Sequence, residues 1–141
     1  MTHADLTVLI NTMDDEKVEH LLTLFADVDM TVTRPPQSGL IMLTATDSFE
    51  TDFYLGEVLV TEARIIFSGC EGFGMVSGEA PRRALARAAA DAVLRCPGQS
   101  EIQDRLLACL QQEELKQKIR LAEDAALIAA TKVNFDLMPG A

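Results

Sequence analysis

At Pro81 the spacing of apolar residues changes from that of strands to that of helices, and this switch constrains the fold more than any other feature of the chain. Before it, Phe53–Thr61, Arg64–Phe67 and Gly72–Ser77 carry β-branched or alternating apolar residues, the two-residue period of strands. After it, Leu85, Ala88, Ala92, Val93 and Cys96 share one helical stripe, and Pro81 suits the first turn of a helix. A run of strands followed by a run of helices reads as the α+β class.

The remaining segments extend this reading. Leu6, Leu9, Ile10 and Met13, then Val18, Leu21, Leu22 and Phe25, recur at helical spacing, giving two short N-terminal helices or one bent helix that ends near Asp27. Thr12 followed by Asp15 reads as the N-cap between them. Met30–Thr33 stops at Arg34-Pro35-Pro36, which must be a turn or a sheet edge, and Leu40–Thr46 follows. With Ser68-Gly69-Cys70-Glu71-Gly72 as a turn, the pattern predicts an antiparallel meander of about five strands. Arg83, Arg87, Asp91 and Arg95 climb a second face of the helix after Pro81, at the spacing of exposed ion pairs. Ser100 starts the last helical region, where Ile102, Leu106, Cys109 and Leu110 form one stripe and Leu115, Ile119, Ala122, Ala126 and Ala129 another. Gln111–Glu114 intervene, so the region is either a helical hairpin or one long helix with two partners. Thr131–Met138 alternates like a short extended tail, a natural partner-binding edge. We read residues 1–141 as one domain with N-terminal helices, the meander, C-terminal helices and this tail.

Composition narrows the function classes. Apolar residues make up 48% and charged residues 24%, a globular balance. The N-terminus lacks a signal-peptide pattern and no apolar run is long enough to cross a bilayer, so a cytoplasmic chain without membrane contact is expected. The net charge is −10, and residues 1–79 hold only Lys17, Arg34 and Arg64 as bases, which argues against nucleic-acid binding. Cys70, Cys96 and Cys109 match no zinc or redox spacing and read as reduced structural thiols.

The search for chemistry is mostly negative. His3 falls in a fraying terminus and His20 on an acidic helix, and no metal pair, nucleophile elbow or Walker loop is present. Glu57 and Glu62 are five apart, which puts them on opposite faces of a strand unless Gly56 introduces a bulge. They are partner-pairing or ligand-binding carboxylates. Gly69, Gly72, Gly74 and Gly78 lead to a helix start carrying Arg82 and Arg83, where backbone N–H and guanidinium groups can hold phosphate oxygens. Their spacing matches no defined phosphate loop, and a hairpin explains Gly69 and Gly72 without a ligand.

The block Phe53-Tyr54-Leu55-Gly56-Glu57-Val58-Leu59-Val60-Thr61-Glu62-Ala63 resembles the signature of the PhnG family, the G subunit of the bacterial carbon–phosphorus lyase system. Gly72-Phe73-Gly74-Met75-Val76-Ser77-Gly78, an alanine-rich helix with Asp91-Ala92, and Lys132-Val133-Asn134-Phe135-Asp136 follow in the family's order. The resemblance implies a cytoplasmic accessory subunit of a core complex with H, I and J subunits, working in phosphonate catabolism under phosphate starvation. With H, I and an L subunit it would support a transferase reaction in which methylphosphonate displaces adenine from ATP, giving α-D-ribose 1-methylphosphonate 5-triphosphate. A later step, carbon–phosphorus cleavage, belongs to the iron–sulfur J subunit, and the lack of a CxxxCxxC-like cluster here fits a different role. No cofactor or metal is implied for this chain alone, and ATP enters as substrate of the complex. On this reading residues 53–63 are sheet scaffold and subunit contact. Gly56, Glu57, Thr61, Glu62, Gly74, Gly78, Arg82, Arg83, Lys132 and Phe135 are the candidate partner or substrate contacts, and no catalytic residue is assigned.

Two rivals stay open. One is an independent homodimer that binds a phosphorylated small molecule through Gly74, Gly78, Arg82 and Arg83. The other is a stand-alone hydrolase using Glu57 or Glu62. Under the subunit reading, the isolated chain leaves apolar surface that it can cover by self-association, swapping helices or the tail.

Overall fold

In the computed structural model, which describes residues 2–132, four helices and a three-stranded antiparallel sheet follow the order α1 (His3–Thr12), α2 (Asp15–Leu24), β1 (Met30–Thr46), β2 (Asp52–Phe67), β3 (Cys70–Ser77), α3 (Pro81–Arg95) and α4 (Ser100–Thr131). The α+β class holds, and the meander of about five strands is corrected to three. Met30–Thr33 and Leu40–Thr46 are two ends of one strand that continues through Pro35-Pro36. Among the described residues β1 is an edge strand paired only with β2, so its outer side needs no ladder donors. Register shifts between Val32 and Arg34 and between Arg34 and Gln37 absorb the two prolines. Phe53–Thr61 and Arg64–Phe67 likewise join into β2.

The turn into β3 is shorter than the glycine pattern predicts. Only Ser68 and Gly69 form it, both left-handed at φ of 47° and 80°, while Cys70 and Glu71 already pair with Phe67 and Ile66. Gly72 and Gly74 have a different task. They face α3, where an added Cβ would overlap the Ala88 carbonyl and Ala92 N–H at Gly72, and the Ala84 carbonyl and Ala88 N–H at Gly74. Glycines on the strand and alanines on the helix thus bring two backbones into direct contact.

Around that contact lies the core. Ala63, Ile65 and Phe67 of β2 and Val76 of β3 meet Ala84, Ala88, Ala92 and Val93 of α3 on one face of the sheet. Leu6, Leu9 and Ile10 of α1, with Val18 and Leu21 of α2, cover α3 from the other side, and Ile102, Leu106 and Leu110 of α4 close one end. Buried on nearly every side, α3 is the central helix. The N-cap expected at Thr12 is corrected to Asp14: Thr12 is the last residue of α1, and its hydroxyl donates back to the Val8 carbonyl at 2.8 Å.

Residues 100–131 form one helix rather than a hairpin. Its first half packs on the core as far as Glu113, which is buried beside Lys17 and Lys116. Its second half runs on with Leu115, Ile119, Leu121, Leu127 and Ile128 exposed. Of the tail expected at 131–138, Thr131 instead ends α4 and Lys132 is its C-cap, and residues 133–138 lie outside the described residues. No helix among the described residues is long and apolar enough to cross a membrane.

The backbone contact makes a direct prediction. Gly74→Ala should lower the free energy of unfolding by about 3 kcal/mol, as overpacking against main chain that cannot give way. Gly39→Ala, at a position with open space around it, should change it by less than about 0.5 kcal/mol. Urea denaturation of the two variants checks the difference.

Candidate functional site

The corner where β2, the β3–α3 turn and α3 meet is organised by Thr61, a buried hydroxyl. Its Oγ1 donates to the Gly78 carbonyl at 2.6 Å and accepts from the Ala80 N–H at 3.0 Å. Gly78 is left-handed at φ of 76°, and its N–H donates to the Leu59 carbonyl at 2.8 Å. One hydroxyl therefore links the strand to the entry of the central helix, with both its donor and its acceptor capacity engaged.

Arg82 and Arg83 stand at that helix entry and are occupied by the chain's own groups. Arg82 holds Glu19 through two parallel contacts, one of them 2.7 Å, and this hydrogen bonding keeps the Glu19 carboxyl below the ordinary glutamate range. Arg83 donates from Nη1 to the Ile10 and Met13 carbonyls at 2.5 and 2.6 Å and from Nη2 to Asp15 at 2.7 Å. It thereby satisfies the end of α1 and the start of α2 together. An incoming anion would have to displace Asp15 and Glu19. Gly74, turned onto α3, offers no surface to a ligand.

The two glutamates are separated. Glu62 pairs with Arg34 at 3.2 Å on the sheet face away from α3, beside the Arg64–Glu71 pair at 2.6 Å. Glu57 sits opposite Met42, farther out along the hairpin. The bulge anticipated at Gly56 exists, but it falls between Leu43 and Thr44, where Leu55 is the extra residue of β2. It therefore precedes Glu57, and regular alternation from 57 to 62 keeps the two carboxylates on opposite faces. Lys132 caps the far end of α4, with its N–H 3.4 Å from the Ala129 carbonyl. Phe135 lies outside the described residues. The candidate residues thus divide between a structural corner, the hairpin and the end of α4.

A second polar cluster was misread in the sequence. Arg87 and Asp91, expected on an exposed face, are 1% and 4% exposed because α1 lies across them. Asp91 Oδ2 accepts from the Phe73 N–H at 2.9 Å and lies 3.0 Å from Arg95 Nε; Oδ1 lies 3.3 Å from His3 Nδ1. Arg87 donates from Nε to Thr7 at 3.1 Å, and its Nη2 lies 3.1 Å from His3 Nε2. Burial lowers the affinity of its guanidinium for the proton, and Asp91 opposes that shift. The cluster ties α1, α3 and β3 together, and the signal in the sequence is that Arg87 and Asp91, two of the five charged residues of α3, stand among its alanines.

A family model described as phosphonate metabolism protein PhnG matches residues 3–140. The chain belongs to the PhnG family. It is accordingly a component of phosphonate metabolism, and the likeness extends over α1 to α4 alike. No match was found among curated proteins. Within this family member the thiols are free: Cys96 ends α3, its pKa raised by a hydrogen bond with Cys70 and by burial, while burial pushes the Cys109 thiol up. Among the described residues no group of three His, Cys, Asp or Glu side chains is placed to hold a metal ion.

The Asp91 cluster is open to a mutational test. Asp91→Ala, which strands Arg87 without its counter-charge, should cost about 3 to 5 kcal/mol of stability. The double change Arg87→Met with Asp91→Leu should cost less than Asp91→Ala alone, since it removes both buried charges. Denaturant unfolding of the single and double variants measures this coupling.

Proposed function

We propose that this chain is an accessory subunit of the carbon–phosphorus lyase core complex. It acts in the cytoplasm with the H and I subunits and the L subunit to form α-D-ribose 1-methylphosphonate 5-triphosphate from ATP and methylphosphonate, with release of adenine. The J subunit shares the complex and acts later. In this reaction a phosphonate oxygen takes the place of adenine at the ribose carbon, and ATP is a substrate of the assembly, not a cofactor held by this chain.

One observation carries the subunit reading beyond family membership. The chain exposes large apolar residues along two projecting elements, the outer hairpin of β1 and β2 and the second half of α4. A protein that works alone seldom leaves such extended apolar surface in water. The rival anion-binding reading is weakened by Arg82 and Arg83, whose donors are engaged by Glu19, Asp15 and two carbonyls.

The test is reconstitution. Co-expressed with the I subunit, the chain should co-elute in size-exclusion chromatography. With H and L supplied, the mixture should release adenine from ATP only when methylphosphonate is present, and omission of this chain should abolish that release. Unchanged adenine release without it would remove the role.

A further inference from the structure

The hairpin beyond the core has a composition that points to the chemistry of its partner. Residues 37–59 form about 25 Å of two-stranded ribbon that no helix among the described residues covers. Leu40, Met42, Leu43, Phe53, Tyr54 and Leu55 are all exposed along it, and Phe49 at its tip is 86% exposed. With Ile41 and Leu59, 37% and 42% exposed, they give the ribbon nine exposed large apolar side chains. A five-residue loop holds the tip in shape, with Asp47 Oδ1 accepting from the Phe49 and Thr51 N–H groups at 2.8 and 2.9 Å. Phe49 is therefore presented on an ordered turn.

Among the described residues both edges of the ribbon are open. β3 pairs with β2 only from Val60 inward, so Asp52–Val58 have an unpaired side. The outer edge of β1 from Gln37 to Thr46 contains no charge and no proline, the features that usually protect an edge strand.

Charge decides the kind of occupant. Between Pro35 and Ala63 the chain has Asp47, Glu50, Asp52, Glu57 and Glu62, and no Lys, Arg or His. Pairing two such arms would set like charges together. Nor does the basic stretch of α4 complement the arm in a second copy. There Lys116, Lys118 and Arg120 already pair with Glu113, Glu114 and Asp14.

We propose that residues 37–59 are a docking arm that inserts into an apolar groove bordered by Lys and Arg on a different protein. Phe49 fills a pocket there, and a strand of the partner joins an open edge of the ribbon. The inference rests on the assembly reading, and it assigns the partner's surface chemistry and the element that meets it.

Binding of this chain to purified H, I and J subunits is measured by isothermal titration calorimetry. Phe49→Asp, and Leu40→Asp combined with Leu55→Asp, should weaken binding by about tenfold or more. Asp52→Lys with Glu57→Lys should weaken it as much, and Asp52→Asn with Glu57→Gln less, with the loss shrinking at high salt. Asp104→Lys, an exposed charge reversal on the core-packed first half of α4, should leave it unchanged, and circular dichroism confirms that each variant is folded. If the wild type binds and the arm variants bind equally well, the arm is not the docking element and assembly stands. Should the isolated chain instead be a dimer that the arm variants dissociate, the occupant is a second copy and the proposal falls. Absence of wild-type binding to all three subunits overturns assembly and arm together.

Discussion

The approach of α3 to β3 sets the geometry on which the other elements depend. Helix and sheet normally stand apart by the thickness of two side-chain layers, about 10 Å. Here Gly72 and Gly74 remove one layer and Ala84, Ala88 and Ala92 thin the other, so main chain meets main chain. That closeness sinks α3 into the structure, and α1, α2 and the first half of α4 then pack around it. A central helix so placed has little room for large side chains, which accounts for its run of alanines.

Burial of α3 also explains why its charged residues are tied inward. Arg87 and Asp91 cannot reach bulk water once α1 lies over them, and an unpaired charge there would be costly. Asp91 resolves this by joining a β3 backbone donor, Arg95 and His3 at one carboxylate. At the helix entry Arg83 joins the end of α1 to the start of α2, and Arg82 pairs with Glu19 on the exposed side of α2. The arginines nearest the glycine-rich turn therefore serve the joints between elements. Surface available for partners lies elsewhere, on the hairpin and the α4 extension.

Local chemistry explains where sequence reasoning succeeded and where it did not. Periodicity located all four helices, and the change at Pro81 marks the start of α3 to the residue. It divided the strands too finely, because Pro35-Pro36 and Glu62-Ala63 look like interruptions. A bulged edge strand tolerates the first, and a half-covered sheet, with Glu62 on the open face, accommodates the second. Of the candidate site residues, Thr61 and Gly78 do meet at one corner, as proximity in a hairpin-to-helix connection allows. Glu57 and Glu62 stay apart, and Gly74 faces the core.

The sequence by itself determined the α+β class, the PhnG resemblance and the acidic, lysine- and arginine-free character of residues 35–63, because each is a property of neighbouring residues along the chain. Tertiary structure alone decided which faces are covered. Helical spacing places Arg87 and Asp91 on one side of α3 and Leu115 and Ile119 on one side of α4, but it carries no information about what packs there. α1 crosses the first pair and buries it; nothing in the described chain reaches the second. Exposure is a relation between elements distant in sequence, and only the packed arrangement supplies it.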